Sequence, residues 1–162
     1  MIREAITHGD YRYHLTRRWG PKIDTVVWVM LNPSTADADV DDPTIRRCIS
    51  FSAELGADSL RVVNLYAYRA TDPKHLLAVE DPVGPMNNTV IRETLLAARA
   101  MRSPVIVAWG ANARADRVSE FVTIADECRV PLHCLGITKS GMPRHPLYVL
   151  GSTRPTPWAW SG

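Results

Sequence analysis

Polar and apolar residues alternate near the start of the chain. Further on, apolar residues either form short continuous runs, as in buried strands, or recur at the spacing of helices. In "EAITHGDYRYHLTRRW" the alternation runs on either side of His8-Gly9-Asp10, which is typical of a hairpin with a glycine turn. We therefore predict a β-hairpin over residues 1–22, lying at one edge of a sheet.

Short apolar runs predict four core strands, in the stretches TVVWVML, LRVVNLY, PVIVAW and PLHCLG. Helical spacing predicts helices in the stretches between them, DPTIRRCISFSAELGA, PMNNTVIRETLLAARAM and ANARADRVSEFVTIADEC. The first of these helices has Asp42 as its expected N-cap and Pro43 in its first turn. Strands that alternate with helices indicate right-handed βαβ units. The predicted fold class is α/β, a three-layer sandwich with a central, mostly parallel four-stranded sheet flanked by helices, plus the N-terminal β-hairpin at the edge.

Length and composition narrow the class of protein. The 162 residues fit a single domain, with a core over 25–151 and a C-terminal tail over 152–162. Apolar residues make up 46% and charged residues 22%, as in soluble globular proteins. We expect a cytoplasmic protein, because no apolar run reaches the ~20 residues of a membrane span and the N-terminus lacks the pattern of a signal peptide. We also expect a monomer. The three cysteines have no CxxC spacing, so we expect no disulfide, metal, iron–sulfur cluster or other cofactor.

Polar residues and glycines follow several of the predicted strands. Asn32-Pro33, Asn64 with Tyr66, and Trp109-Gly110 stand at strand ends, and the loop "KSGMPRHP" follows the last core strand. Ligands of parallel sheets bind outside the carboxyl ends of the strands. We therefore expect these residues to face one crevice.

The order of these motifs resembles the uracil-DNA glycosylase superfamily over residues 25–151. "MLNPS" is similar to the first motif of that superfamily, with Asn32 in the place of its asparagine, and "LRVVNLYAYRATDP" is similar to its second strand, with Asn64 and Arg69 on matching positions. "VIVAWGANARADRV" is similar to a segment of the thermophilic branch, and "RHPLYVL" places His145 on the catalytic histidine. The chain is also identified as a member of a bacterial and phage family known as domain of unknown function 1643. The resemblance implies an enzyme that flips a nucleotide and cleaves its N-glycosidic bond.

Several positions depart from the superfamily pattern. Met30 and Ser34 replace the two glycines of the first motif, and Leu147 replaces a serine. Ser34-Thr35-Ala36 are small where several uracil-specific relatives carry a bulky ring. We therefore expect the substrate to be a pyrimidine with a substituent at carbon 5, such as phages carry, rather than plain uracil.

Cleavage of an N-glycosidic bond needs a positioned water, an acceptor for its proton and a donor toward the leaving base. Asn32 is the expected ligand of the water, but an amide cannot take the proton. Asp37, Asp41 and Asp42 are the candidates for a general base, and the alternative for Asp42 is that it only caps the helix that begins at Pro43. His145 is expected to donate a hydrogen bond to O2 of the departing pyrimidine.

A flipped base is usually stacked on an aromatic ring and recognised along its Watson–Crick edge. Asn64 is the candidate for recognising that edge, Ser34 leaves room for the base, and Tyr66 is the candidate for stacking, with Tyr68 as the alternative.

The predicted partner is single- or double-stranded DNA, or a nucleotide. Residues expected to contact the nucleic-acid backbone are Arg69, Lys139, Ser140 and Arg144. Leu147 and Tyr148 are expected to act as a wedge in the gap that a flipped nucleotide leaves.

Two other functions fit the same sequence. A non-catalytic module could bind nucleic acid or nucleotides, with tight, salt-dependent binding and no base release. A hydrolase or transferase of free nucleosides or nucleotides would suit the modest net charge of +2. Activity on a mononucleotide but not on an oligonucleotide would identify the second.

Overall fold

A computed structural model of the chain describes residues 1–34 and 39–162, in which the strands form one mixed sheet. In chain order the strands are β1 (Ile2–His8), β2 (Tyr11–Arg18), β3 (Thr25–Met30), β4 (Ser59–Asn64), β5 (Val105–Val107), β6 (His133–Cys134) and β7 (Thr156–Pro157). They lie side by side in the order β1-β2-β4-β3-β5-β6-β7. The pairings among β4, β3, β5 and β6 are parallel. The pairings that involve β1, β2 or β7 are antiparallel.

The helices of the described residues cover both faces of this sheet. They are α1 (Pro43–Glu54), α2 (Pro73–Leu76), α3 (Asn87–Met101) and α4 (Ala115–Glu127), with a 3-10 turn at Pro146–Tyr148. Alternate residues of β3 enter two different cores: Trp28 packs with Phe51 of α1, and Val29 packs with residues of α3 and α4. The sheet is therefore the middle of three layers.

The N-terminal hairpin is confirmed, and it contains a β-bulge. Gly9 at its turn has φ +59°, a left-handed conformation that glycine adopts without steric cost. Ile6 pairs with His14 while Thr7 pairs with Arg12, so Tyr13 is an extra residue on β2. A bulge of this kind changes which face of the sheet the following side chains occupy. Arg12 consequently faces the same side of the sheet as Leu15, three residues away.

The α/β class is confirmed, and the four predicted core strands pair in parallel, but a four-stranded sheet is not confirmed. In the described residues the sheet has seven strands, and three of its six pairings are antiparallel. β2 pairs with β4 from Leu15 to Arg18, so the hairpin continues the sheet. β7 and α2 were not expected because each is too short to show a period. No helix within residues 1–34 and 39–162 is long and apolar enough to cross a membrane.

Candidate functional site

A cavity of about 680 Å³ lies at the carboxyl ends of the parallel strands. Asn32 follows β3, Asn64 ends β4, and Trp109-Gly110 follow β5; all line the cavity, together with His145 from the loop after β6. Gly110 has φ +78°, and a Cβ at this position would lie 3.6 Å from the Cβ of His145. The predicted crevice is therefore present, with residues from four separate segments of the chain in it.

Asn32 presents an acceptor to the cavity. Its Nδ2 donates to the carbonyl oxygens of Ala70 at 2.7 Å and Pro33 at 3.0 Å, which fixes the orientation of the amide. Its Oδ1 accepts no hydrogen bond from any residue that the structure describes. Asn32 can therefore accept a hydrogen bond from a water or from a substrate hydroxyl.

Asn64 is 4% exposed, and its side-chain amide faces the cavity. The backbone around it is held from the other side, because Asn87 Nδ2 donates to Asn64 O at 2.9 Å and Arg117 Nε donates to Leu65 O at 2.7 Å. Within the described ranges, no group forms a hydrogen bond with the Asn64 side chain. A buried amide without a protein partner usually has a water or a ligand as its partner.

His145 presents a donor. Its Nδ1 accepts a hydrogen bond from the backbone N–H of Leu147 at 3.2 Å, so the neutral ring carries its proton on Nε2. Burial lowers the pKa of His145, and the charge of Asp42 opposes that change only in part. The ring is therefore neutral at pH 7, with the Nε2–H available to a ligand.

Asp42 caps α1, as predicted, and it also lines the cavity. Its Oδ1 accepts from Ile45 N at 2.8 Å, and its Oδ2 accepts from the Ser34 hydroxyl at 3.3 Å. Its charge raises the pKa of both Arg12 and His145, although burial lowers both on balance. The carboxylate therefore lies within electrostatic range of both side chains.

Arg12 is a cavity residue that the sequence did not indicate. Its side chain is 6% exposed, and burial lowers the pKa of its guanidinium. The hairpin alternation, taken without the bulge, predicts Arg12 on the opposite side of the sheet from Leu15. A sequence signal for the bulge at Tyr13 would have been needed to find it.

Asp41 does not line the cavity among the described residues. It forms an ion pair with Arg17 at 2.6 Å and with Arg3 at 3.4 Å. Burial alone would raise the pKa of Asp41, but the hydrogen bonds and charges of these arginines hold it below the usual value. The predicted catalytic role of Asp41 therefore does not fit its position. Asp37, the other predicted base, lies outside the described residues.

Tyr66 is not positioned to stack on a base. It is 2% exposed, packs in the core with α3 and α4, and accepts a hydrogen bond from Arg114 N at 3.1 Å. Trp109 is among the residues that line the cavity, but its ring packs in the same core, against Phe121 and Trp158, and its Nε1 donates to Met142 Sδ at 3.4 Å. The backbone pairing continues past Asn64, since Leu65 N donates to Met30 O at 2.9 Å and Tyr66 N donates to Leu31 O at 3.0 Å.

The residues predicted to contact a nucleic-acid backbone do not all lie together. Lys139 and Arg144 line the cavity mouth and are exposed. Ser140 lies beside them on the same loop, with its hydroxyl 3.1 Å from the Thr138 hydroxyl. Arg69 is away from the cavity lining, because its Nη2 donates to Gly9 O at 3.0 Å and holds the hairpin turn.

The predicted wedge residues stand at the mouth. Leu147 is 44% exposed and Tyr148 is 77% exposed, and both line the cavity. The rings of Tyr148 and His145 have centroids 5.7 Å apart. An exposed pair of largely apolar side chains at the mouth of a cavity suits contact with a flat, apolar ligand surface.

Arg47 of α1 holds the turn that carries His145. Its Nε donates to Pro146 O at 3.2 Å, its Nη2 donates to Val149 O, and its guanidinium lies 5.1 Å from the Phe51 ring centre.

We expect the substitution Arg47→Met to lower the free energy of unfolding by about 1.5–3 kcal/mol, because it removes charged hydrogen bonds to both carbonyls. Urea denaturation measures the change. The matched substitution Arg114→Met removes an exposed arginine and should have a much smaller effect. Equal stability of Arg47→Met and the wild type would show that the turn is held by other contacts.

In the described part of the chain, no group of three or more His, Cys, Asp or Glu side chains is placed to hold a metal ion.

Comparisons with known proteins complete the description of the site. No curated protein and no solved structure matches the chain. The model of one family matches residues 12–147, a range that includes Arg12, Asn32, Asp42, Asn64 and His145. The chain belongs to this family, which is described as "Protein of unknown function (DUF1643)".

Proposed function

We propose that the chain is a DNA glycosylase-like hydrolase, which flips a nucleotide into the cavity and cleaves the N-glycosidic bond of a pyrimidine. The observation that carries this proposal is the Asn64 amide, which is buried, has no partner among the described residues, and faces the same cavity as Asn32 and His145. The ordered resemblance of the strand-end motifs to uracil-DNA glycosylases supports the same reaction.

Asn64 recognises the base. An amide supplies one acceptor and two donors, which can pair with the alternating donors and acceptors of a pyrimidine edge. A substrate that satisfies a buried amide is favoured strongly over one that leaves it unpaired.

Asn32 and His145 act on opposite sides of the bond that breaks. The Oδ1 of Asn32 accepts a hydrogen bond from the attacking water. The orientation of the Asn32 amide is fixed, because its Nδ2 is already held by Ala70 and Pro33. The Nε2–H of His145 donates to O2 of the base, where negative charge develops as the bond to C1′ breaks.

The substrate that we propose carries a substituent at carbon 5. The cavity volume of about 680 Å³ lies within the range that accommodates drug-sized ligands, and is more than a bare pyrimidine ring requires. Its wall includes Leu15, Met30, Ile45 and Val62, which belong to the core on the α1 side. This wall leaves room for a substituent, with the Ser34 hydroxyl nearby.

Lys139 and Arg144 bind the phosphates that flank the flipped nucleotide, and Leu147 and Tyr148 fill the gap that it leaves. Their exposure at the cavity mouth supports these roles. We propose DNA as the partner on the same grounds.

The proposal is tested with single- and double-stranded oligonucleotides that each carry one pyrimidine: cytosine, uracil, 5-hydroxymethyluracil, 5-hydroxymethylcytosine or a glucosylated 5-hydroxymethylcytosine. Base release creates an abasic site, which alkali cleaves, and mass spectrometry identifies the base. We expect release from a 5-substituted pyrimidine. Release from uracil alone would overturn the proposed substituent. Tight binding without release would favour a binding module, and release from mononucleotides alone would favour a nucleotide hydrolase.

The substitution Asn64→Ala should lower kcat/KM for the released base roughly 10–100-fold, because it removes one or two hydrogen bonds to the base. Steady-state kinetics on the oligonucleotide identified above measures this change. Asn64→Asp is the matched variant, since it keeps the size and the acceptor oxygens but lacks the donors. It should retain activity only on bases with an exocyclic amino group. Unchanged kinetics of both variants would remove Asn64 from base recognition.

A further inference from the structure

We propose that Asp42 is the general base of this site, in addition to its role as the cap of α1. The inference rests on the proposed hydrolysis of an N-glycosidic bond and names the residue that takes the proton of the water.

The geometry of the cavity limits the choice of base. Asp42 is the single carboxylate among the described residues that line it. Asn32 lines it too, but an amide is not a proton acceptor at neutral pH. Asp41, the neighbour of Asp42, is engaged by Arg17 at 2.6 Å and Arg3 at 3.4 Å, away from the cavity.

The capping bonds hold the carboxylate without using all its acceptor capacity. Each carboxylate oxygen has two lone pairs. Ile45 N occupies one position on Oδ1, and the Ser34 hydroxyl occupies one on Oδ2. Each oxygen of this cavity-lining carboxylate therefore keeps an acceptor position beyond its capping bond. Ser34 is also two residues from Asn32. The two groups that would contact the water, Asn32 and Asp42, are therefore linked through the short segment that carries Ser34.

Two basic side chains lie near Asp42 in the cavity. Arg12 is buried and lines the same cavity, and Asp42 lies within electrostatic range of it and of His145.

The water oxygen forms a bond to C1′, and the bond from C1′ to the ring nitrogen breaks with its electron pair going to the base. One water proton passes to Asp42 while the other stays on the new 1′-hydroxyl. The base leaves as an anion stabilised by the Nε2–H of His145, and Asp42 then returns its proton through solvent to the base.

The test compares Asp42→Asn with Asp72→Asn on the oligonucleotide from which the wild type releases a base. Asparagine caps helices as well as aspartate does, so α1 should keep its cap. Asp72 is the matched control, because it also precedes a proline and caps a helix, α2, but does not line the cavity. Thermal unfolding of both variants checks that the fold is kept.

We expect Asp42→Asn to lower the single-turnover rate of base release about 10²–10⁴-fold, the usual contribution of a general base. It should bind the oligonucleotide at least as tightly as the wild type, and Asp72→Asn should react at the wild-type rate. Release by Asp42→Asn at the wild-type rate would overturn this inference and leave the proposed function intact. The same holds if Asp37→Asn, and not Asp42→Asn, lowers the rate of base release by a comparable factor. No release by the wild type from any of the oligonucleotides would overturn both.

Discussion

A His145→Ala variant should release base roughly 10²–10³ times more slowly than the wild type, which is the usual cost of losing one preorganised donor to a developing negative charge. The donor is Nε2–H, because Nδ1 accepts from Leu147 N at 3.2 Å. Since burial lowers the pKa of His145, the ring need not lose a proton to reach this state at neutral pH. Single-turnover kinetics with excess enzyme isolates the chemical step from product release.

The substitution His75→Ala is the matched control for His145. His75 is an exposed histidine on α2 and does not line the cavity. It should react at the wild-type rate. A loss confined to KM in His145→Ala would instead place the imidazole in binding, since an interaction made only in the transition state lowers kcat.

An Asp41→Ala variant should lose about 3–5 kcal/mol of unfolding free energy, the usual cost of removing one partner of a buried ion pair. The Arg17 side chain is 0% exposed, and its Nε donates to Asp41 at 2.6 Å. The substitution leaves this buried cation without that carboxylate. Urea denaturation at pH 7 measures the loss.

The substitution Asp116→Ala is the control, because it removes a carboxylate from an exposed pair with Arg114 at 3.5 Å. It should change the free energy of unfolding little. Equal losses in the two variants would show that the Arg17 pair does not hold the hairpin to the rest of the sheet.

The same pair predicts a pH dependence. The pKa of Asp41 is lower in the folded chain than in the unfolded chain, so its stabilisation is fully present above about pH 4 and is lost as the pH falls below that value. Between about pH 4 and the folded pKa, the wild type should therefore lose more unfolding free energy than Asp41→Ala does.

Much of the local structure follows from the sequence alone. Asp42 and Pro43 begin α1 as their residue types predict. The side-chain oxygen of Asp42 can accept from a free N–H of the first turn, and Pro43 has no N–H of its own that would need a partner there. The apolar runs of β3, β4 and β5 lie in the sheet centre, since strands covered on both faces need apolar residues throughout. The strand-end rule likewise identified Asn32, Asn64 and His145 as neighbours.

The tertiary structure determined the features of the site that depend on the direction in which a side chain points. Asp41 and Asp42 are adjacent in the sequence and equal in chemistry, yet one pairs with Arg17 of the hairpin while the other lines the cavity. Tyr66 and Trp109 both follow strands, and the rings of both pack in the core on the α3 and α4 side.

The sequence by itself therefore determined the helices, the core strands and the strand ends at which the site forms, because these depend on local residue type and spacing. The bulge at Tyr13, the entry of Arg12 into the cavity and the choice between Asp41 and Asp42 depend on pairing between segments far apart in the chain. One extra residue in a strand reverses which face a side chain occupies, and no local pattern in this sequence records it.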